Sequence, residues 1–242
     1  MLVSARSEIG RVRKENEDNY LVSKERDLFV VADGMGGHAG GEVASSIVKR
    51  VLDEEITTLH PVDDCEKMLL NALLKANSLI LRLGQDQAYL GMGTTVTAAR
   101  FGMGRLNIAH IGDSRAYLYR EGELQLLTQD HSLVNELLQK GELTEEEAAN
   151  HPRRNILTRA LGTVESPQID QFNLGVQQGD LFLLCTDGLH NLVNEKEIRQ
   201  ILAEADELKT MVDCMVDLAL ERGGNDNITA VLVKFEERTL EE

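Results

Sequence analysis

The grouping of helices constrains the fold more than any other feature of this sequence. After a glycine-rich turn at 34–41, two helical patterns follow one another with no strand between them. In the first, Ala44, Ile47, Val48, Val51, Leu52 and Ile56 recur at helical spacing. In the second, Met68, Leu69, Ala72, Leu73, Ala76, Ile80 and Leu83 form a broad apolar face, with Asp63 and Asp64 placed to cap its start. A second pair follows at 194–222, its first helix opening on the capping box Asn194 with Glu197. Strand-like runs fill the intervals at 28–31, 94–101, 106–111, 116–119, 124–127, 169–174, 181–186 and 228–235. The four runs from 94 to 127, separated by short turns, read as an antiparallel meander. A doubly wound parallel sheet needs strict strand–helix alternation, so that class is excluded. The pattern predicts an α+β fold with antiparallel sheets and helix pairs packed outside. One layered arrangement that satisfies it is two sheets stacked face to face, each covered by helices. There is no internal repeat and no Pro- or Ser-rich linker, so residues 1–242 are expected to form a single domain.

Charge narrows the partners. With 25 Lys and Arg against 41 Asp and Glu, the net charge is −16. Such a chain repels phosphate backbones and anionic lipid surfaces, so neither nucleic acid nor membrane is expected as a partner. The longest apolar runs, 28–32 and 181–185, are strand-sized, and the N-terminus lacks an apolar stretch of signal-peptide type. Cys65, Cys185 and Cys214 lie too far apart for a disulfide framework or a Cys-rich zinc site. A cytoplasmic, soluble protein is the expectation.

Four carboxylates share one kind of position. Asp33, Asp113 and Asp187 follow apolar runs, and Asp226 precedes one; each neighbours Gly or Asn. In a turn, Asp beside Gly needs no further explanation. Four placed alike at strand ends can converge on one edge of a layered fold, and there they would repel one another unless cations neutralise them. An all-oxygen donor set selects hard ions such as Mg²⁺ or Mn²⁺ over zinc or copper. The segment 13–18 adds Arg13, whose fork matches a phosphate, next to Glu17 and Asp18; on its own it reads as a solvated charge run. Gly34, Gly36 and Ala39 match a dinucleotide-binding fingerprint, but Asp33 would face the pyrophosphate and the next element is a second helix. Position +6 from each cysteine is not Arg, neither Asp33 nor Asp187 begins an Asp-x-Asp, and no nucleophile elbow, P-loop or zincin motif occurs. Metal-activated water remains.

Six motifs in order give the sequence a resemblance. They are Arg13-x-x-Asn16-Glu17-Asp18, the run from Ala32-Asp33-Gly34 to His38, Gly93-Thr94-Thr95, His110-x-Gly112-Asp113-Ser114-Arg115, Thr186-Asp187-Gly188-Leu189 and Asp226-Asn227-Ile228-Thr229. Together they resemble the protein phosphatase 2C family of metal-dependent Ser/Thr protein phosphatases, in its compact bacterial form, over about residues 4–235. The resemblance implies a four-layer sandwich of two antiparallel sheets flanked by helix pairs. It implies two core Mn²⁺ or Mg²⁺ ions, with Asp33 bridging them, Asp187 and Asp226 completing one site and the Gly34 carbonyl serving the other. Glu17 and Asp18 would hold metal-bound waters, a third ion would fall to Asp113 and Asp187, and Arg13 would take the substrate phosphate. A bridging water would attack phosphorus in line, with no covalent intermediate. His38 is the candidate general acid, with a structural or metal-water role as its alternative, because Met35-Gly36-Gly37 separates it from Asp33-Gly34. His110 is assigned to orienting the Gly112-Asp113 turn. Many relatives carry Asp where this chain has Asn191, which weakens the third site.

The polar segment 131–160, with the capping box Thr144–Glu147 and the breaker His151-Pro152, corresponds to the family's flap beside the active site. It reads either as a solvated surface helix or as an element that gates substrate. The implied partners are phosphorylated proteins, among them a Ser/Thr kinase and its substrates, and a monomer is expected. A catalytically dead regulatory module that binds a kinase or phosphoprotein, and a phosphoesterase acting on a small metabolite, are the rival readings. Retention of all four Asp residues speaks against the first; the second stays open.

Overall fold

A computed structural model of the chain describes residues 1–36, 40–57 and 65–236. Two sheets organise it. One runs in the order β1 (Leu2–Glu8), β11 (Ile228–Lys234), β10 (Leu181–Cys185), β7 (Arg115–Arg120), β8 (Glu123–Leu126). The other runs β2 (Asp18–Ser23), β3 (Leu28–Met35), β5 (Val96–Gly102), β6 (Arg105–Ile111), β9 (Asp170–Gly175), with the two-residue β4 (Gly93–Thr94) paired to the end of β3. Neighbouring strands are antiparallel throughout.

Alternation along β3 shows why the run is apolar without interruption. Leu28, Val30 and Ala32 pack on the helices α1 (Gly40–Glu55) and α2 (Cys65–Leu83), while Phe29 and Val31 turn towards the other sheet. Both faces are covered, so both registers must be hydrophobic. The same holds for β10. There Leu181, Leu183 and Cys185 meet α6 (Glu195–Glu204) and α7 (Leu208–Glu221), and Phe182 and Leu184 face inward. The result is the helix–sheet–sheet–helix layering the sequence predicts. Phe101 ties the sandwich together: its ring lies edge-on to Phe29 at 5.8 Å and to Phe182 at 5.2 Å, and stacks on Phe235 at 5.9 Å.

The structure corrects several local expectations. The runs from 94 to 127 are not one meander. β5 and β6 form a hairpin in one sheet, β7 and β8 a hairpin in the other, and the chain crosses between sheets at Gly112–Ser114. Gly112 permits the crossing with φ of +109°, and a Cβ there would lie 2.5 Å from Cβ of Thr95. The run at 94–101 breaks at Thr95 into β4 and β5. β1 and β2 were not expected as strands: both are only partly buried edge strands, so their alternation carries polar and charged residues. A single helical turn, α5 (Asp187–His190), follows β10. The capping boxes at Thr144 and Asn194 form as read; Asp63 and Asp64 lie outside the described residues. No helix among the described residues is long and apolar enough to cross a membrane.

Because Phe101 joins both sheets, Phe101→Ala should cost about 3–5 kcal/mol of stability, read as a lower midpoint in urea unfolding. A cost below about 1 kcal/mol would show that the inter-sheet core does not depend on this ring.

Candidate active site

The sheet crossing places the carboxylates. Asp33 lies within β3 and pairs across the ladder with Asp18 of β2. Asp113 sits on the crossing itself, Asp187 opens α5 at the end of β10, and Asp226 precedes β11. Gly188 lets α5 press against the loop before β11: a Cβ there would collide with the carbonyl oxygen of Asn227. Asp187 and Asp226 are thereby brought side by side. Asp33, Asp113, Asp187 and Asp226 line one cleft of about 560 Å³, together with Arg13, Glu17 and Gly34. Asp113, Asp187 and Asp226 also face an adjoining hollow of about 570 Å³. Its far wall carries Leu138 of α3 (Leu133–Gln139) and Glu145 of α4 (Glu145–Ala149), the two helices of the segment 131–160.

Burial and mutual repulsion dominate the electrostatics. Desolvation first, and neighbouring carboxylates second, hold Asp33 well above the ordinary carboxylate range, with Asp18, Asp187 and Asp226 among those neighbours. Desolvation and Asp187 push Asp113 up to about 8. Desolvation and Asp226 push Asp187 up to about 6. Asp18 is raised to about 7 by burial, against the pull of two hydroxyls: Thr229 and Thr186 donate to its Oδ2 at 2.7 and 2.8 Å. These two bonds join β2 of one sheet to the end of the other. Arg13, half exposed at the cleft mouth, donates to Asp226 Oδ2 at 2.8 Å.

The backbone around the cluster is held from several sides. Thr94 donates its hydroxyl to the Asp33 carbonyl at 2.8 Å, and the Asp33 N–H donates to Thr95 Oγ1 at 3.0 Å. At the crossing, the Gly112 N–H donates to His131 Nδ1 at 3.1 Å, and His190 Nε2 donates to the Asp113 carbonyl at 3.0 Å. His110 acts one step further back: its Nε2 donates to the Gln129 carbonyl at 3.0 Å, and its other nitrogen meets Thr97, whose hydroxyl donates to the Ser114 carbonyl at 2.8 Å. The direct grip on the turn thus belongs to His131 and His190.

These residues suit divalent cations. The donor set is all oxygen, and Oδ1 of Asp18 and of Asp187 are buried with no hydrogen-bond partner. An unpartnered buried carboxylate oxygen is costly in water-free surroundings, and a cation removes that cost. Asn191 donates to the other oxygen of Asp187, Oδ2, at 3.1 Å. Among the described residues, no three His, Cys, Asp or Glu side chains close round a single point. The carboxylates are gathered along a cleft wall, as their repulsion dictates, not clenched into a cage.

Of the residues singled out from sequence, Arg13, Glu17, Asp33, Gly34, Asp113, Asp187 and Asp226 share the cleft, and Asp18 lies behind it, buried and paired to Asp33. His38 lies outside the described residues. The sequence reading did not single out His131 and His190, whose roles depend on a contact made across the fold.

The protein phosphatase 2C family model matches residues 11–232. The serine/threonine phosphatase stp of Listeria monocytogenes is 42% identical over 236 residues, covering 95% of this chain and 94% of its own. The crystal structure of the Mycobacterium tuberculosis serine/threonine phosphatase PstP/Ppp superposes with a TM-score of 0.91 at 39% identity, over 98% of this chain and 99% of that one. A structure of the catalytic domain of PstP in complex with two manganese ions gives a TM-score of 0.89 at 38% identity, over 98% of each chain. With two sheets in the same layered fold and a match along nearly its whole length, this chain belongs to the protein phosphatase 2C family.

Proposed function

We propose that this protein is a metal-dependent phosphatase that hydrolyses phosphoserine and phosphothreonine in proteins and so reverses Ser/Thr kinase signalling. The observation that carries this reading is the meeting of Asp33, Asp113, Asp187 and Asp226, drawn from both sheets, in one cleft beside Arg13. Asp33, Asp187 and Asp226, with the Gly34 carbonyl, would hold two ions, and Asp113 with Asp187 a third. Glu17 and Asp18 would receive hydrogen bonds from the surrounding water. Mn²⁺ or Mg²⁺ fits such oxygen ligands. When bound, the ions supply Lewis acidity, neutralise the cluster and activate water.

The chain's own residues do the rest. Arg13 stands half exposed at the cleft mouth; released from Asp226, its guanidinium presents paired N–H donors to the non-bridging phosphate oxygens. Its charge also opposes the negative charge that builds on those oxygens as the phosphorus–oxygen bond to Ser or Thr breaks. Asn191, by occupying Oδ2 of Asp187, leaves Oδ1 facing a cation. His131 and His190 keep Asp113 in register with Asp187, since His190 belongs to the same helical turn as Asp187. His38 is assigned the proton that the leaving alkoxide takes up. The substrates are phosphorylated proteins, a Ser/Thr kinase among them. We take the protein as a monomer of one domain, 1–242, working in the cytoplasm, and the scattered cysteines support a reducing compartment.

Hydrolysis of p-nitrophenyl phosphate and of a phosphothreonine peptide should require Mn²⁺, stop in excess EDTA, and fall by about a hundredfold or more in Asp187→Ala. Folded, Mn²⁺-loaded protein that is inert on every phosphoester would sink the reading. Binding can be read without turnover. Metal-free Asp187→Asn should melt above metal-free wild type, because one repelling charge has gone, with each kcal/mol worth about 2–4 °C at this size. Added Mn²⁺ should then raise the wild-type melting temperature by more than that of the variant. Equal Mn²⁺-induced shifts would remove Asp187 from the ligand set.

A further inference from the structure

Large apolar side chains exposed singly need no explanation. One of them, Val164, stands in the wall of the catalytic cleft. Val164 lines the cleft itself while remaining 53% exposed.

The loop that carries Val164 is fixed at several points. Leu161 and Thr94 exchange backbone hydrogen bonds, at 3.1 and 2.9 Å, and Thr94 is the residue whose hydroxyl holds the Asp33 carbonyl. Thr163 donates its hydroxyl to the Ala160 carbonyl at 2.9 Å. The strongest hold comes from Asn77, fully buried on α2 among apolar neighbours. Its Oδ1 accepts from the Gly162 N–H at 2.7 Å, and its Nδ2 donates to the carbonyls of Val164 at 2.9 Å and Glu165 at 3.4 Å. A buried amide is costly unless its hydrogen bonds are met, and Asn77 meets its own on this loop. Closing the loop explains Asn77 but not the side chain presented at its tip. An apolar group held rigidly at the rim of an acidic cleft, with Leu157 and Met35 on the same wall, gains only when another apolar group covers it.

We propose that Val164, with Leu157 and Met35, forms a subsite for an apolar side chain flanking the phosphorylated residue of an extended substrate peptide. The inference rests on the phosphatase reading above and specifies its substrate class. The occupant follows from continuity with the cleft. A phosphate anchored at Arg13, over the ions that the carboxylates would hold, forces the adjoining peptide along the cleft walls, and an extended chain advances about 3.3 Å per residue, so its nearest side chains reach those walls. Asn77 is the positioning residue of this loop.

The test uses Mn²⁺-loaded wild type, Val164→Ser and Val164→Glu. Each is given phosphothreonine peptides that differ only in Leu, Gly, Lys or Glu at one of the three positions on either side. At one position wild type should favour Leu over Gly by about tenfold in kcat/KM, and Val164→Ser should bring that ratio to within about twofold. The change should lie mainly in KM, as for an interaction made equally in the ground state and the transition state. Val164→Glu should turn the preference towards Lys. Turnover of all peptides without a preference for Leu, or a preference that survives in Val164→Ser, overturns the subsite while leaving the phosphatase reading intact. No turnover of any peptide removes that reading, and the subsite with it.

Discussion

Mutual repulsion among buried carboxylates is the constraint on which the rest of this structure depends. Asp18, Asp33, Asp113, Asp187 and Asp226 are held at one end of a dry sandwich, where each would be better solvated apart from the others. Only a rigid scaffold keeps them together. The interior rings of Phe29, Phe101 and Phe182 lock one sheet to the other. Asp18 then serves as a polar tie at the open end, reaching from β2 to Thr186 and Thr229 on the opposite sheet. The same side chain that adds to the repulsion also fixes the distance between the sheets. A cation entering the cleft would meet carboxylates already gathered there, and its charge would relieve a repulsion maintained by packing far from the site.

The crossing between sheets is the second requirement. A hairpin at Gly112–Ser114 would have left Asp113 on one sheet, remote from Asp187 on the other. Crossing there puts Asp113 between the layers, where His131 holds the preceding amide and His190 holds its carbonyl. Both imidazoles are shifted towards the neutral form by burial, His190 to about 3, so they grip the turn as dipoles and add no positive charge to the site. His131 also donates its second nitrogen to Asp170 of β9 at 3.2 Å, and its carbonyl accepts from Thr158 at 2.8 Å. One residue thus links the Gly112–Asp113 turn, the far edge of a sheet and the end of the segment 131–160.

Much of this was legible in the chain. The unbroken apolar runs of β3 and β10 report strands covered on both faces, and the two helix pairs report what covers them. Asp113, Asp187 and Asp226 stand at strand ends, as read, and strand ends meet in a layered fold; Asp33 instead lies inside β3, which runs on to Met35 past the apolar run. What escaped depends on contacts between distant segments. Neither the partner of His131 nor that of His190 is a sequence neighbour, and the two hydroxyls on Asp18 come from residues 168 and 211 positions away. The sheet crossing escaped because hairpin turns and crossings draw on the same Gly and Asp residues. The edge strands β1 and β2 escaped because partial exposure replaces their alternation with charge. Asn77, an amide in an apolar helix face, reads as an imperfection until the loop it holds is in view.

Charge balance sets how such a protein meets its substrate. At −16, the chain repels a phosphorylated partner at long range. At physiological ionic strength that field is screened within about 8 Å, so encounter is hindered only modestly and is not steered. Capture would then fall to short-range groups inside the cleft, Arg13 and the divalent ions that its carboxylates would hold. Divalent ions held by the carboxylates would make this possible, replacing the excess negative charge of the cluster with a local positive field while the outer surface stays acidic. Polyanions such as nucleic acids, which would bind tightly to a basic surface, gain nothing here, because a single phosphate must enter the cleft before any attraction is felt. An acidic exterior around a centre made cationic by bound ions would thus favour isolated phosphate groups on protein side chains over continuous phosphate backbones.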